Sequence, residues 1–272
     1  MASPILPCGC LCSIPIPYPR GGISYSKIWF GNRTIQQICS QLNAKWKGGL
    51  AHLDPDVISA SLAARPAGWR AAFGQSSAAQ GHLKKQNVGE GDLFLFFGWF
   101  KRTEWSGDKL KFVSGDPGRH IIYGWLQVGR VVDVNGPTPL PADLLFLRKH
   151  PHMEFRKVER GWNSIYVSSR DGLGAGLFKE LSDELILTKQ GADLRSQWRL
   201  PPAFKSILDE KALSYHSKSG RWSQNGGYIG LTAVSRGQEF VFDGTRHPAA
   251  HEHYVGLIKN ELKKTHTCKH DA

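Results

Sequence analysis

Two apolar runs constrain this chain more than anything else in it. Leu93-Phe-Leu-Phe-Phe-Gly-Trp-Phe100 follows the turn Gly89-Glu-Gly-Asp92, and Ile121-Ile-Tyr-Gly-Trp-Leu-Gln-Val-Gly-Arg-Val-Val132 follows a polar excursion. Both are dense in β-branched and aromatic residues and bounded by Gly, Asp or Pro, so they read as buried strands rather than helices. The turn Trp105-Ser-Gly-Asp108 folds 109–113 back as a hairpin arm between them. The expectation is an α+β fold with a strongly bent or closed, mostly antiparallel sheet centred on these runs and flanked by helices.

The 272 residues, 40% of them hydrophobic, suffice for one large domain. It divides into a Pro-rich arm with helices (1–88), the central strands (89–190), and a hairpin with a closing helix (191–272). Asn32 is expected to cap a helix over 33–43, and Asp54-Pro55 to open another that carries Val57, Ile58 and Leu62 and ends at Pro66. Helices are also expected over 76–85, from Pro201-Pro202 through Leu208, and over 248–264 with Tyr254, Val255, Ile258 and Leu262 inward. Further strands are read at 23–30, 164–169 and 185–188. The strongest hairpin signal pairs 228–234 with 238–242.

Several classes are excluded. No apolar run approaches the ~20 residues of a membrane span, and Pro4, Pro7, Pro15 and Pro17 break any leader-like start. The five cysteines (8, 10, 12, 39 and 268) have no disulfide-framework spacing, which fits a reducing cytoplasm. Neither Cys8-Gly-Cys-Leu-Cys12 nor His266-Thr-Cys-Lys-His270 has zinc-site spacing, so no metal and no other cofactor is expected. Gly172-Leu-Gly-Ala-Gly176 lacks the dinucleotide fingerprint, and no nucleophile elbow is present.

What remains points to polyanions. Lys and Arg outnumber Asp and Glu by 35 to 23, a formal charge of +12, and several of the nine Trp stand beside cations. An indole next to a cation can stack on a base while the cation meets its phosphate. His52-Leu-Asp54-Pro-Asp56 places an imidazole and two carboxylates together, a set able to move protons or hold a cation; a helix cap at Asp54 with Asp56 favouring the helix dipole is its plainer reading. Gly68-Trp-Arg-Ala-Ala-Phe-Gly-Gln75 joins an aromatic, a phosphate fork and an amide. In His150-Pro-His152 two imidazoles would point oppositely unless Pro151 turns the chain. Asn163 and Tyr166 are read with them as a polar pocket rim, and Arg195 and Gln238 as polar groups beside apolar elements.

The segments Ser3-Pro-Ile-Leu-Pro7, Ile14-Pro-Ile-Pro17, His52-Leu-Asp-Pro-Asp56, Trp69-Arg70 to Phe73-Gly-Gln75, Gly91-Asp-Leu-Phe-Leu-Phe-Phe-Gly-Trp-Phe100, His150-Pro-His152 and Gln238-Glu-Phe-Val241 together resemble the third class of nucleotide-modification-associated domains. The resemblance covers most of the chain. It implies bacterial or phage proteins tied to altered nucleic-acid bases, and it implies a strand with a Lys-Gly-Phe-Asp-Ser run ahead of the Pro-rich segment that this sequence does not show. The central rhythm is similar to base-reading barrels of the pseudouridine-synthase-associated (PUA) type.

The function expected is recognition of a modified base, in nucleic acid or a free nucleotide. Trp69 and Trp99 would stack on it, Gln75, Asn163 or Tyr166 would pair with it, and Arg70, Lys101, Arg102 and Arg236 would hold phosphate. One alternative is a nucleotide-modifying or hydrolysing enzyme using His52, Asp54 and Asp56 or the His150–His152 pair. A second is a protein-interaction module.

Overall fold

The computed structural model describes residues 1–18, 21–136, 139–154, 161–235 and 239–264. Arg236, Gln238 and the 266–270 tail lie outside them, as does the turn of the hairpin expected between 234 and 238.

The two apolar runs become long neighbouring strands, Leu93–Ser106 and Arg119–Asp133, antiparallel with Trp125 opposite Leu95. The sheet continues outward in the order Ser3–Ile5, Leu93–Ser106, Arg119–Asp133, Asn163–Ser168, Ala72–Ser76, with only the Ser3–Ile5 pairing parallel. Lys109–Phe112 forms the expected hairpin arm, and Ala175–Leu177 adds a short strand against Arg119–Asp133. Register shifts at 122/124 and 128/130 bend the longest strand, because an extra residue in one strand of a pair locally increases its twist. Gly129 sits in the second shift, where a Cβ would lie 2.5 Å from Ser169 Cα; no side chain fits there. The sheet therefore curls into a half-barrel but is not a closed barrel. Its two terminal strands do not pair; the outer edge of Ala72–Ser76 is taken by residues 54–56 instead. Phe100, Ile121, Leu126 and Tyr166 are fully enclosed in its main core.

Local signals and tertiary demands disagree at several places. The first helix runs Ile35–Leu42 and is capped by Thr34, not Asn32, with Gln37 completing a capping box; Arg33–Thr34 is spent on a two-stranded ribbon with Trp29–Phe30. The helix expected from Asp54 is absent. Residues 54–58 form no helix and only Ser59–Ser61 turns helically, because Asp56 exchanges backbone hydrogen bonds with Ala72 at 2.9 and 3.0 Å. The segment 185–188 is no strand; it makes single bridges, Ile186 to Ile121 and Thr188 to Trp198. Tyr228–Thr232 pairs with Trp222–Asn225 and Gln197–Leu200 rather than with 239–242. The closing helix, Pro248–Leu262, buries Tyr254 and Ile258 as expected, but Leu262 is exposed and Glu261 is enclosed, accepting from the Lys179 N–H at 2.9 Å.

Candidate functional site

Four polar side chains from two distant segments meet at the outer edge of the Ala72–Ser76 strand. His52 ends the strand Leu50–His52, which is held between Ile16–Pro17 and Ile23–Ser24. Asp54 follows, and both its carboxylate oxygens accept from the Gly74 N–H, at 3.0 and 3.1 Å. His150 and His152 arrive from the other side, at the end of the 3₁₀ segment Ala142–Lys149 that packs over the sheet. The chain does turn at Pro151, as a short helix Pro151–Glu154. Both imidazoles consequently face Asp54: His152 Nε2 stands 3.2 Å from Oδ2 and His150 Nε2 3.8 Å from Oδ1. His52 Nε2 lies 4.0 Å from Oδ2, and its ring stacks on His152 at 5.4 Å between centroids.

The supporting contacts fix which nitrogens carry protons. Asn163 donates from Nδ2 to the His152 carbonyl at 3.3 Å, which orients its amide so that Oδ1 faces His152 Nδ1 at 2.7 Å. Nδ1 therefore donates, and Nε2 is the nitrogen aimed at Asp54. His150 is held the opposite way round: its Nδ1 accepts from the His152 backbone N–H at 3.3 Å, leaving Nε2–H toward Asp54. Burial pushes the His150 imidazole down to about 4, with His152 and His52 adding to the effect and Asp54 opposing it, so His150 is neutral at pH 7. Burial likewise lowers His52 against the pull of Asp54. The donor atoms of His52, Asp54 and His152 all lie within 4.8 Å of one another.

Gly74 makes the convergence possible, and the sequence reading missed it as a site residue. A Cβ there would stand 2.3 Å from His152 Cδ2. A lone glycine inside a strand pattern marks a close approach, which is the signal that was available.

Asp56 does not join the centre. Arg65 forks its carboxylate at 2.6 and 2.7 Å and stacks on Trp69 at 4.3 Å, while the Trp69 Nε1–H also reaches it at 3.4 Å. The other residues singled out from sequence are dispersed. Tyr166 is a core residue whose hydroxyl donates to Gln80 at 3.1 Å, and Gln75 donates to Glu239 at 3.0 Å. Arg70 shares Asp143 with Arg130 and donates to the Ser168 carbonyl at 3.4 Å. Lys101 and Arg102 lie opposite Pro4 and Ile5, with the Arg102 N–H on Asp116. Arg195 covers the Trp99 ring at 4.2 Å. Asn163 alone of that set belongs to the histidine centre.

Beside the centre lies a cavity of about 270 Å³, whose walls include Ser13, Trp29, Asp54, Gly98, Trp99 and Tyr123. Of Arg70, Gln75, Trp99 and Asn163, only Trp99 lines it.

Fold and site together define an α+β half-barrel with an enclosed His–Asp centre at one sheet edge. Residues 1–243 match the family described as nucleotide modification associated domain 3, and the chain belongs to that family. No curated protein and no solved structure matches it. No helix among the described residues is long and apolar enough to cross a membrane.

Proposed function

We propose that the protein binds a nucleotide, or a base within nucleic acid, and alters it chemically at the centre formed by His52, Asp54, His150 and His152. The observation that carries this reading is the convergence itself. Two short motifs far apart in sequence bring three imidazoles and a carboxylate onto one spot, each side chain at most 14% exposed. Enclosing ionisable groups costs stability even when they are partly paired, and such clusters are concentrated at functional sites. The family ties the chain to nucleotide modification, and the surplus of cations favours a phosphate-bearing partner. The adjoining cavity falls just below the ~300–1,000 Å³ usual for small-molecule sites, room for one base or nucleoside rather than a dinucleotide. Trp99 and Tyr123 offer it aromatic walls. Alteration rather than recognition alone is favoured because the polar groups cluster at one reactive point, while the residues suited to reading a base edge are dispersed.

The test is to incubate the protein with nucleotides and with DNA and RNA oligonucleotides, digest the products to nucleosides, and weigh them by mass spectrometry. A mass change made by the wild type and lost in Asp54→Asn is the expected result. Unchanged nucleosides, with Asp54→Asn binding them as tightly as the wild type, would remove the centre from the function.

A further inference from the structure

We infer that His52, Asp54 and His152 form a binding site for one divalent transition-metal ion. Two imidazole nitrogens and one carboxylate are the donor set that zinc and the neighbouring first-row ions take. The inference concerns the same centre as the reading above and rests on that reading for its purpose, though not for its geometry.

Three features of the structure converge on a cation. The first is charge. The Asp54 side chain is only 3% exposed, and among the described residues its ion-pair partners are histidines alone. A carboxylate so enclosed is stabilised by a positive neighbour, and Arg65, the guanidinium closest along the chain, is committed to Asp56. The second is the direction of the donor atoms. Asn163 accepts from His152 Nδ1, so the other ring nitrogen, Nε2, is turned toward the Asp54 carboxylate at 3.2 Å. With His52 beside them, these atoms form a three-donor set within 4.8 Å of one another, the spacing that a single cation spans.

The third is the support around the donors. Ligating histidines donate their other N–H to an oxygen, and ligating carboxylates are themselves hydrogen-bonded; Asn163 and the Gly74 N–H supply these two contacts. His150 Nε2, on a side chain 5% exposed, is a buried nitrogen without a hydrogen-bond partner and is aimed at the same carboxylate. Its tautomer presents N–H rather than a lone pair, so His150 supports Asp54 and does not ligate.

The dimensions agree. Donors about 2.1 Å from a common ion lie about 3.0–3.4 Å apart at neighbouring positions. His152 and Asp54 already meet this at 3.2 Å. His52 has to close from 4.0 Å, and it is the least enclosed of the three. Three protein ligands leave coordination positions for water or substrate, and Asp54 also faces the cavity.

The experiment uses the full chain, stripped with chelator and titrated with Co²⁺ alone, followed by visible d–d absorption, with Zn²⁺ competition and elemental analysis after dialysis. The expected result is one equivalent bound. The spectrum should be lost in His52→Gln and His152→Gln, whose folding is checked by circular dichroism, and affinity should fall roughly 10- to 100-fold in Asn163→Ala. His150→Gln should keep the stoichiometry. Overturning results are no uptake by the folded wild type, a spectrum unchanged in both glutamine variants, or a thiolate charge-transfer band placing the ion on the cysteines. Metal binding without any nucleoside mass change would sustain this inference and sink the functional reading; a mass change by folded protein that takes up no Co²⁺ would do the reverse.

Discussion

Replacing Gly74 by alanine tests the packing on which the centre depends. The residue lies in a strand with no left-handed backbone to protect, so by propensity alone Ala should be more favourable by roughly 0.5–1 kcal/mol. The structure predicts the opposite sign. The new methyl would stand 2.3, 2.5 and 2.8 Å from Cδ2, Cγ and Nε2 of His152, so the ring must retreat by more than about 1 Å to reach ordinary contact. That ring is buried and anchored to Asn163 at 2.7 Å. Retreat combines overpacking, about 1–3 kcal/mol, with a strained or broken buried hydrogen bond, about 1–3 kcal/mol. A net loss near 3 kcal/mol follows, measured as a lower urea midpoint with an unchanged slope. Repeating Gly74→Ala in a His152→Ala background removes the ring, and there the substitution should become neutral or stabilising. The reasoning fails if Gly74→Ala alone changes stability by less than ~0.5 kcal/mol, or if its cost persists without the imidazole.

Asp56→Ala should cost about 3–5 kcal/mol in denaturant unfolding by leaving the Arg65 guanidinium unpaired, while the Co²⁺ stoichiometry stays at that of the wild type. Burial alone would raise the Asp116 carboxyl, but hydrogen bonds from the Gly118 and Arg102 N–H groups and the Arg119 guanidinium prevail and hold it below 3.8. Its contribution is therefore present above that value and lost as pH falls through the lower folded-state pKa; the stability gap between wild type and Asp116→Asn should be constant from neutral pH to about 5 and shrink toward pH 3. Burial raises the Cys12 thiol, and Cys39 is pushed up to about 12, so alkylation of the native protein at pH 8 followed by peptide mapping should label the exposed Cys8 and spare both.

The central strands were legible because burial on both faces leaves a run of large apolar residues with no competing period. The helix expected at Asp54-Pro55 shows the limit of local rules. Its capping signal is genuine, but the unpaired backbone of Ala72 and Gly74 has a stronger claim on Asp56 and Asp54. Each half of the centre was visible as a motif, and the halves stood as separate alternatives. Their meeting depends on the pairing of Ala72–Ser76 with Asn163–Ser168 and on the 3₁₀ cover that delivers His150 and His152, neither of which local spacing encodes. A donor set drawn from Asp54 and from a histidine almost a hundred residues later has no spacing signature for the same reason.

Asp54 carries two duties that one pair of substitutions separates. A bare strand edge is a template for unwanted pairing, and here the backbone of Asp56 covers Ala72 while the Asp54 side chain substitutes for backbone at Gly74. The first duty needs only an acceptor; the second, attraction of a cation, needs the charge. Asp54→Ala orphans a buried N–H and should cost about 1–3 kcal/mol. Asp54→Asn keeps an acceptor for Gly74, so it should retain most of that stability and yet lose Co²⁺ binding. Urea midpoints and cobalt titrations of the two variants decide the matter. If Asn destabilises as much as Ala, the edge contact is not what holds the carboxylate; if Asn still binds cobalt, the charge is not what draws the ion.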